Sequence, residues 1–202
     1  MSNRAETVLI PLGGLLLEAD LNIPENAKSI VIFVHGSGSN RRSPRNQYVA
    51  EAISRAGIGT LLFDLHSTYQ FDIDLLTGQL VDVTEWVAEQ NREIKVGYFG
   101  ASTGGAVALV AAARQGGLVT TVVSRGGRPD LAGNLLCKVE SPTLLIVGAK
   151  DEQVTVLNKR AYELLNCTKE LVIVSGASHL FEEAGKLEEV ANIAVEWFKK
   201  YL

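Results

Sequence analysis

The chain has 202 residues, 47% of them hydrophobic, and a formal net charge of −4, enough for one domain around a single core that needs no disulfide or structural metal. Its mild acidity gives no broad attraction to nucleic acid or to an anionic membrane, so a small-molecule substrate is the expected partner. Residues 1–7 are polar where a secretory signal is apolar, and no run reaches the about 20 apolar residues of a membrane span; the expectation is a cytoplasmic protein with residues 1–202 as one domain.

In chain order, residues 8–11 and 15–21 flank Gly13-Gly14 and predict an antiparallel hairpin at a sheet edge. Continuous apolar runs at 29–34, 60–63, 96–99, 119–123, 143–147 and 171–174 predict strands buried on both faces, the mark of a parallel sheet. Between them, residues 45–55, 74–90, 103–115, 154–165 and 187–201 carry apolar positions at helical spacing, which gives each helix one stripe to lay on the sheet. The alternation predicts an α/β fold, a three-layer α/β/α sandwich with a mostly parallel, doubly wound sheet. No insertion is long enough for a cap domain, so an open active site is expected. The string 72–78 superficially resembles a phosphoribosyl-pyrophosphate loop, but no buried strand precedes it and it reads as a helix start. Cys137 and Cys167 form no CxxC pair and read as reduced packing residues.

Gly100-Ala101-Ser102-Thr103-Gly104 lies between the strand at 96–99 and the helix at 103–115. A serine on such a strand-to-helix turn projects its hydroxyl from the sheet edge, and small flanking residues permit the tight packing. Ser102 is therefore the candidate nucleophile. A neutral hydroxyl attacks a carbonyl poorly, so it needs a base and a third group to orient that base. His179, in the loop after the last strand, and Asp151, in the loop after the strand at 143–147, follow in the order serine, acid, histidine. Both loops leave the carboxyl edge of the sheet, where open parallel sheets bind ligands. Taken singly, His179 also reads as a surface or helix-capping histidine, and Asp151 as an N-cap.

Acyl transfer also needs donors for the developing oxyanion, each worth about 3 kcal/mol. The Thr103 backbone N–H is one candidate; the loop His35-Gly36-Ser37-Gly38-Ser39 supplies the second, Ser37 N–H, with Gly38 N–H as the alternative. His35 reads as a brace for that loop. Arg41, Arg42, Arg45, Arg125 and Arg128 lie near the same edge. Arg125, Arg128 and Arg45 are candidates to grip an anionic ester or lactone, against a bracing role for the group toward acids such as Asp130 or Asp64. Gly36-Ser37-Gly38 lacks the third glycine of a dinucleotide fingerprint, the Gly97 to Gly104 string lacks a P-loop lysine, and the three histidines have no metal-ligand spacing. No cofactor and no metal are expected.

With these stand longer strings: Val34-His35-Gly36-Ser37-Gly38-Ser39, Ser43-Pro44-Arg45-Asn46, Gly97-Tyr98-Phe99-Gly100-Ala101-Ser102-Thr103-Gly104, Ser124-Arg125-Gly126-Gly127-Arg128-Pro129-Asp130 and Gly176-Ala177-Ser178-His179-Leu180-Phe181. Over nearly its whole length the chain resembles the α/β-hydrolase superfamily, specifically dienelactone-hydrolase-like proteins such as the small bacterial hydrolase found alone or fused to phosphoribosyltransferase domains. The resemblance implies Ser102, Asp151 and His179 as catalytic positions. Dienelactone hydrolases proper carry cysteine where this chain has Ser102, and the phosphoribosyltransferase part is absent from it. The expected function is a serine hydrolase of small carboxylic esters, lactones or thioesters acting through an acyl-enzyme. The alternative is a non-catalytic binding or regulatory module on the same fold, for example a partner of a phosphoribosyltransferase.

Overall fold

The computed structural model describes residues 6–66 and 72–202. Among the described residues, eight strands form one sheet: β1 (Glu6–Leu12), β2 (Leu15–Asn22), β3 (Ser29–Val34), β4 (Gly59–Phe63), β5 (Lys95–Ala101), β6 (Val119–Arg125), β7 (Thr143–Gly148) and β8 (Lys169–Val174). Five helices lie between and after them: α1 (Pro44–Arg55), α2 (Ile73–Gln90), α3 (Thr103–Gln115), α4 (Glu152–Leu164) and α5 (Lys186–Tyr201). The spatial order is β1-β2-β4-β3-β5-β6-β7-β8. β1 pairs antiparallel with β2, and β2 with β4, while β3 through β8 run parallel. The expected edge hairpin and doubly wound sheet are both present.

The pleat sends alternate side chains to opposite faces, and both faces are covered. Along β3, Ile30, Ile32 and Val34 join the core shared with α2, α3 and α4, whereas Val31 and Phe33 join the core shared with α1 and α5. None of these five side chains is more than 2% exposed, so each contributes about 1.5–3 kcal/mol of apolar burial. Two buried polar pairs tie the layers together, while Thr77 Oγ1 and Ser124 Oγ are buried without a hydrogen-bond partner among the described residues. Tyr98 Oη lies 2.6 Å from Thr84 Oγ1, and Trp197 Nε1 donates to Thr121 Oγ1 at 2.8 Å.

The winding reverses at β3: the chain steps outward to β4, then returns to β5 on the other side. Loops leaving the carboxyl ends of β3 and β5 diverge there and open a crevice. That crevice holds the loop at 35–39 and Ser102. Asp72 begins α2 by accepting the Leu75 N–H at 2.9 Å, the helix start expected from the sequence.

Two expectations need correction, and one element stands where the sequence predicts none. The apolar run at 171–174 is not buried on both faces: β8 is the last strand, and Ile173 is exposed. Residues 129–138 form a 3-10 stretch, Pro129–Lys138, packed on α3 and α4. Cys137 is exposed with its Sγ on the Asn134 carbonyl, so only the half-buried Cys167 packs against the core.

Candidate active site

Ser102 occupies the single residue between β5 and α3 and has φ 52 and ψ −124. A non-glycine residue in the left-handed region costs of order 1–3 kcal/mol and persists only where its surroundings enforce it. Here the surroundings are three backbone hydrogen bonds. Ser102 N–H donates to Arg125 O at 3.2 Å, while Gly105 N–H and Arg128 N–H both donate to Ser102 O at 3.0 Å. The glycines around the turn have a steric cause: a methyl on Gly104 would overlap the Val34 and His35 carbonyl oxygens, and one on Gly36 would stand 2.8 Å from Ser102 Cβ. The positive end of α3 thus sits directly under the serine.

Asp151 stands at the N-cap position of α4, yet its side chain makes no cap hydrogen bond. Instead Asp151 Oδ2 lies 2.5 Å from His179 Nδ1, across the two loops that leave β7 and β8. That contact removes the capping alternative for both residues. The imidazole is 39% exposed and the carboxylate 16%, so the acid is sheltered while the base faces the opening. The bond fixes Nδ1 as the donor and leaves Nε2 as the proton acceptor.

The loop after β3 is held by His35. Its Nε2 accepts Leu65 N–H at 2.9 Å and its Nδ1 lies 3.0 Å from Gly36 O, which makes it the brace expected from the sequence. Burial lowers its pKa against the opposing pull of the Gly36 carbonyl and the Asp64 charge. Ser37 N–H, the candidate oxyanion donor, donates to Thr103 Oγ1 at 2.9 Å, with Ser37 Oγ 3.1 Å from the same oxygen. The loop and the first turn of α3 are therefore tied together. Thr103 is the first helical residue, so no carbonyl four residues earlier in α3 takes its amide.

The arginines divide. Arg41 pairs with Asp64, Glu18 and Asp20, and Arg128 binds both oxygens of Asp130 at 2.9 and 2.8 Å. Both are braces, and Arg128 is not among the residues lining the cavity at Ser102. Arg125 does line it. It is 6% exposed, its Nη2 donates to Asn46 Oδ1 at 2.9 Å, and its Nε is buried without a partner among the described residues. Burial, with the nearby charge of Arg45, pushes its pKa down to about 10. Arg45, at the mouth, reaches Glu182 only at 3.5 Å.

Gly36, Ser37, Arg45, Ser102, Arg125 and His179 thus converge on one cavity of about 210 Å³. A larger hollow of about 420 Å³ lies at the β8 edge beside Trp197 and Val172; its lining includes Glu170, Glu196 and Lys200 but no serine, cysteine or histidine. Convergent polar groups, not volume, locate the site. Among the described residues no cluster of His, Cys, Asp or Glu could hold a metal ion, and no helix is long and apolar enough to cross a membrane. The sequence offers three segments, 67–71, 125–131 and 180–181, as walls of an acyl pocket, and residues 67–71 lie outside the described residues. Of the other two segments expected there, Arg125 and Leu180 do line the cavity. The sequence assigned no role to Asn46 or Glu183; the first has its only signal in following Arg45, the second has none.

The family profile described as the dienelactone hydrolase family matches residues 46–202. Two Mycobacterium tuberculosis proteins with the provisional name phosphoribosyl transferase are 50% identical over 208 residues, covering 98% of this chain and 47% of theirs. The chain spans about half the length of these curated relatives. The crystal structure of a dienelactone hydrolase from Anabaena variabilis superposes with a TM-score of 0.95 at 50% identity, covering 98% of both chains. Est1E from Butyrivibrio proteoclasticus, at 17% identity and a TM-score of 0.84 over 96% of this chain and 98% of its own, shares the fold.

Proposed function

The chain belongs to the dienelactone hydrolase family, and on that premise we propose that this hydrolase cleaves small carboxylic esters, lactones or thioesters through an acyl-enzyme on Ser102. One observation carries the proposal: the 2.5 Å contact of Asp151 with His179, at the cavity into which the strained turn presents Ser102. Ser102 Oγ attacks the substrate carbonyl carbon while His179 Nε2 takes its proton, and the carbonyl electron pair moves to oxygen. Asp151 holds the imidazole in the required tautomer and stabilises the imidazolium. The Thr103 amide, with the Ser37 amide sharing its bond to Thr103 Oγ1, receives the oxyanion. Collapse breaks the bond to the leaving group, which takes the proton from His179. Water then repeats the sequence with His179 as base, releasing the acid and restoring Ser102.

Arg125 extends the reading to substrate charge. A guanidinium buried without a carboxylate carries an uncompensated desolvation cost, which an anionic group on the substrate would offset. We assign Arg125, with Arg45 at the mouth, to such a group. The test of the reaction itself is Ser102→Ala, which is expected to abolish turnover of a short activated ester while preserving the fold. Turnover at the wild-type rate overturns the assignment.

A second reading, a binding module for a phosphoribosyltransferase, draws support from the double length and provisional name of the mycobacterial relatives. A fluorophosphonate separates the two, because it reacts only with an activated serine. A well-folded but unlabelled protein favours the module.

A further inference from the structure

We propose that Glu183 is a positioning residue that holds His179 and Asp151 in register by gripping the residue before each of them. The inference rests on the serine-hydrolase reading above. Both Glu183 carboxylate oxygens accept the Ser178 N–H, at 3.1 and 3.0 Å, and Oε2 also lies 3.3 Å from Ser178 Oγ. The same carboxylate meets Lys150 Nζ at 3.3 Å. Ser178 immediately precedes the base and Lys150 immediately precedes the acid. One side chain thus ties together two loops that come from different strands.

The loops have little slack of their own. Lys150 N–H donates to Ala177 O at 2.9 Å, and a methyl on Gly148 would overlap the Ala177 and Ser178 carbonyl oxygens. The segment between base and clamp is strained as well: Phe181 has φ 56, a left-handed conformation disfavoured for a bulky residue. Its ring is 1% exposed in the core beneath α5, so burial holds the turn from one side. Glu183 closes the turn from the other, reaching back five residues to Ser178.

The clamp is also constant in charge. The Ser178 amide first, then the residue's own amide and Lys150, hold the Glu183 pKa down to about 2 from 4.5. A depressed carboxylate contributes its stabilisation above the unfolded-state value and loses it only as pH falls toward the folded one. Glu183 therefore remains ionised throughout the range in which a histidine base works. Its carboxylate takes no part in proton transfer.

The test uses the whole chain with Glu183→Ala and Glu183→Gln, reading kcat and KM on a short activated ester and the rate of fluorophosphonate labelling. Misplacing a catalytic group by about 1 Å costs on the order of a hundredfold. Glu183→Ala is expected to lower kcat about ten- to hundredfold with KM within about twofold, and to slow labelling in parallel. Glu183→Gln, which keeps an acceptor for Ser178 but not the charge, is expected to recover part of both. A role in stability alone would lower the melting temperature and leave the labelling rate of folded protein unchanged, which overturns the proposal. So does a rise in KM at constant kcat, which would make Glu183 a substrate contact. Should Glu183→Ala not fold, the isosteric Glu183→Gln decides, and wild-type kcat in that variant overturns the clamp. If the wild-type protein itself fails to label, the serine-hydrolase reading falls and the clamp falls with it; if the wild type labels and the variants match it, only the clamp falls.

Discussion

Arg41, in the loop after β3, and Arg125, at the end of β6, are almost equally buried, 9% and 6% exposed. Their surroundings are opposite. Arg41 meets three carboxylates, from Glu18 and Asp20 on β2 and from Asp64 after β4, whereas Arg125 meets the neutral amide of Asn46; neither Nε has a hydrogen bond among the described residues, but that of Arg41 faces Asp20 Oδ2 at 3.6 Å. Burial lowers the pKa of both; for Arg41 the bond and charge of Asp64, with Asp20 and Glu18, more than reverse this, and for Arg125 the Arg45 charge adds to it. Burial of a cation is therefore not informative by itself. The partner set separates a wall of the fold from a surface kept for something that arrives later.

The largest expected effect breaks the wall. Arg41→Met keeps much of the hydrocarbon but leaves Asp64 and Asp20 facing each other without a cation. Removing one partner of a buried pair costs about 3–5 kcal/mol; because Asp64 and Asp20 are each 25% exposed, the low end, about 3 kcal/mol, is expected in urea unfolding. Ester turnover by the folded fraction should change little. Unchanged stability with lost turnover would erase the contrast between the two arginines.

Arg125→Met should do the reverse. It removes an unpaired buried charge but orphans Asn46 Oδ1, so the two changes offset and stability is expected within about 1 kcal/mol of wild type. Turnover of a carboxylate-bearing ester should fall about 30-fold relative to a neutral ester of the same size, a differential of about 2 kcal/mol. Equal loss on both substrates would remove the anion assignment and leave Arg125 as a brace like Arg41 and Arg128.

Much of this arrangement is readable in the chain. Gly13-Gly14 between two short runs marks the hairpin, continuous apolar runs mark the parallel strands, helical spacing marks the five helices, and the order Ser102, Asp151, His179 marks the candidate site. What escapes such reading depends on neighbours distant in sequence. The exposure of Ile173 follows from β8 being the last strand, which its own residues do not declare. Pro129–Lys138 is a 3-10 stretch broken at Gly133, where the backbone leaves helical geometry, and short interrupted turns of this kind are not declared by apolar spacing. The carboxylates that neutralise Arg41 lie on other strands, so Arg41 and Arg125 look alike until the sheet brings Asp64 to one of them. Glu183 is one of two adjacent glutamates and acquires meaning only when Phe181 turns the chain back toward Ser178.

The smallest expected effect sharpens the boundary between the two arginines at His35, whose Nε2 ties the loop to Leu65, next to Arg41's partner Asp64. Nε2 can accept that amide only while unprotonated. Burial, aided by His66 and opposed by Gly36 O and Asp64, lowers the His35 pKa from 6.5, so near that pH the unfolded chain binds more protons than the folded one. Stability then rises with pH up to about 6.5 and is lost as pH falls toward the folded value, at no more than about 1.4 kcal/mol per pH unit for one proton. His35→Gln removes the titrating group while keeping an acceptor, so its unfolding free energy should lose that slope relative to wild type. If the two slopes coincide between pH 5 and 6.5, His35 is not the group that senses protons on the Arg41 side, and the loop is fixed by the Ser37 to Thr103 bond instead.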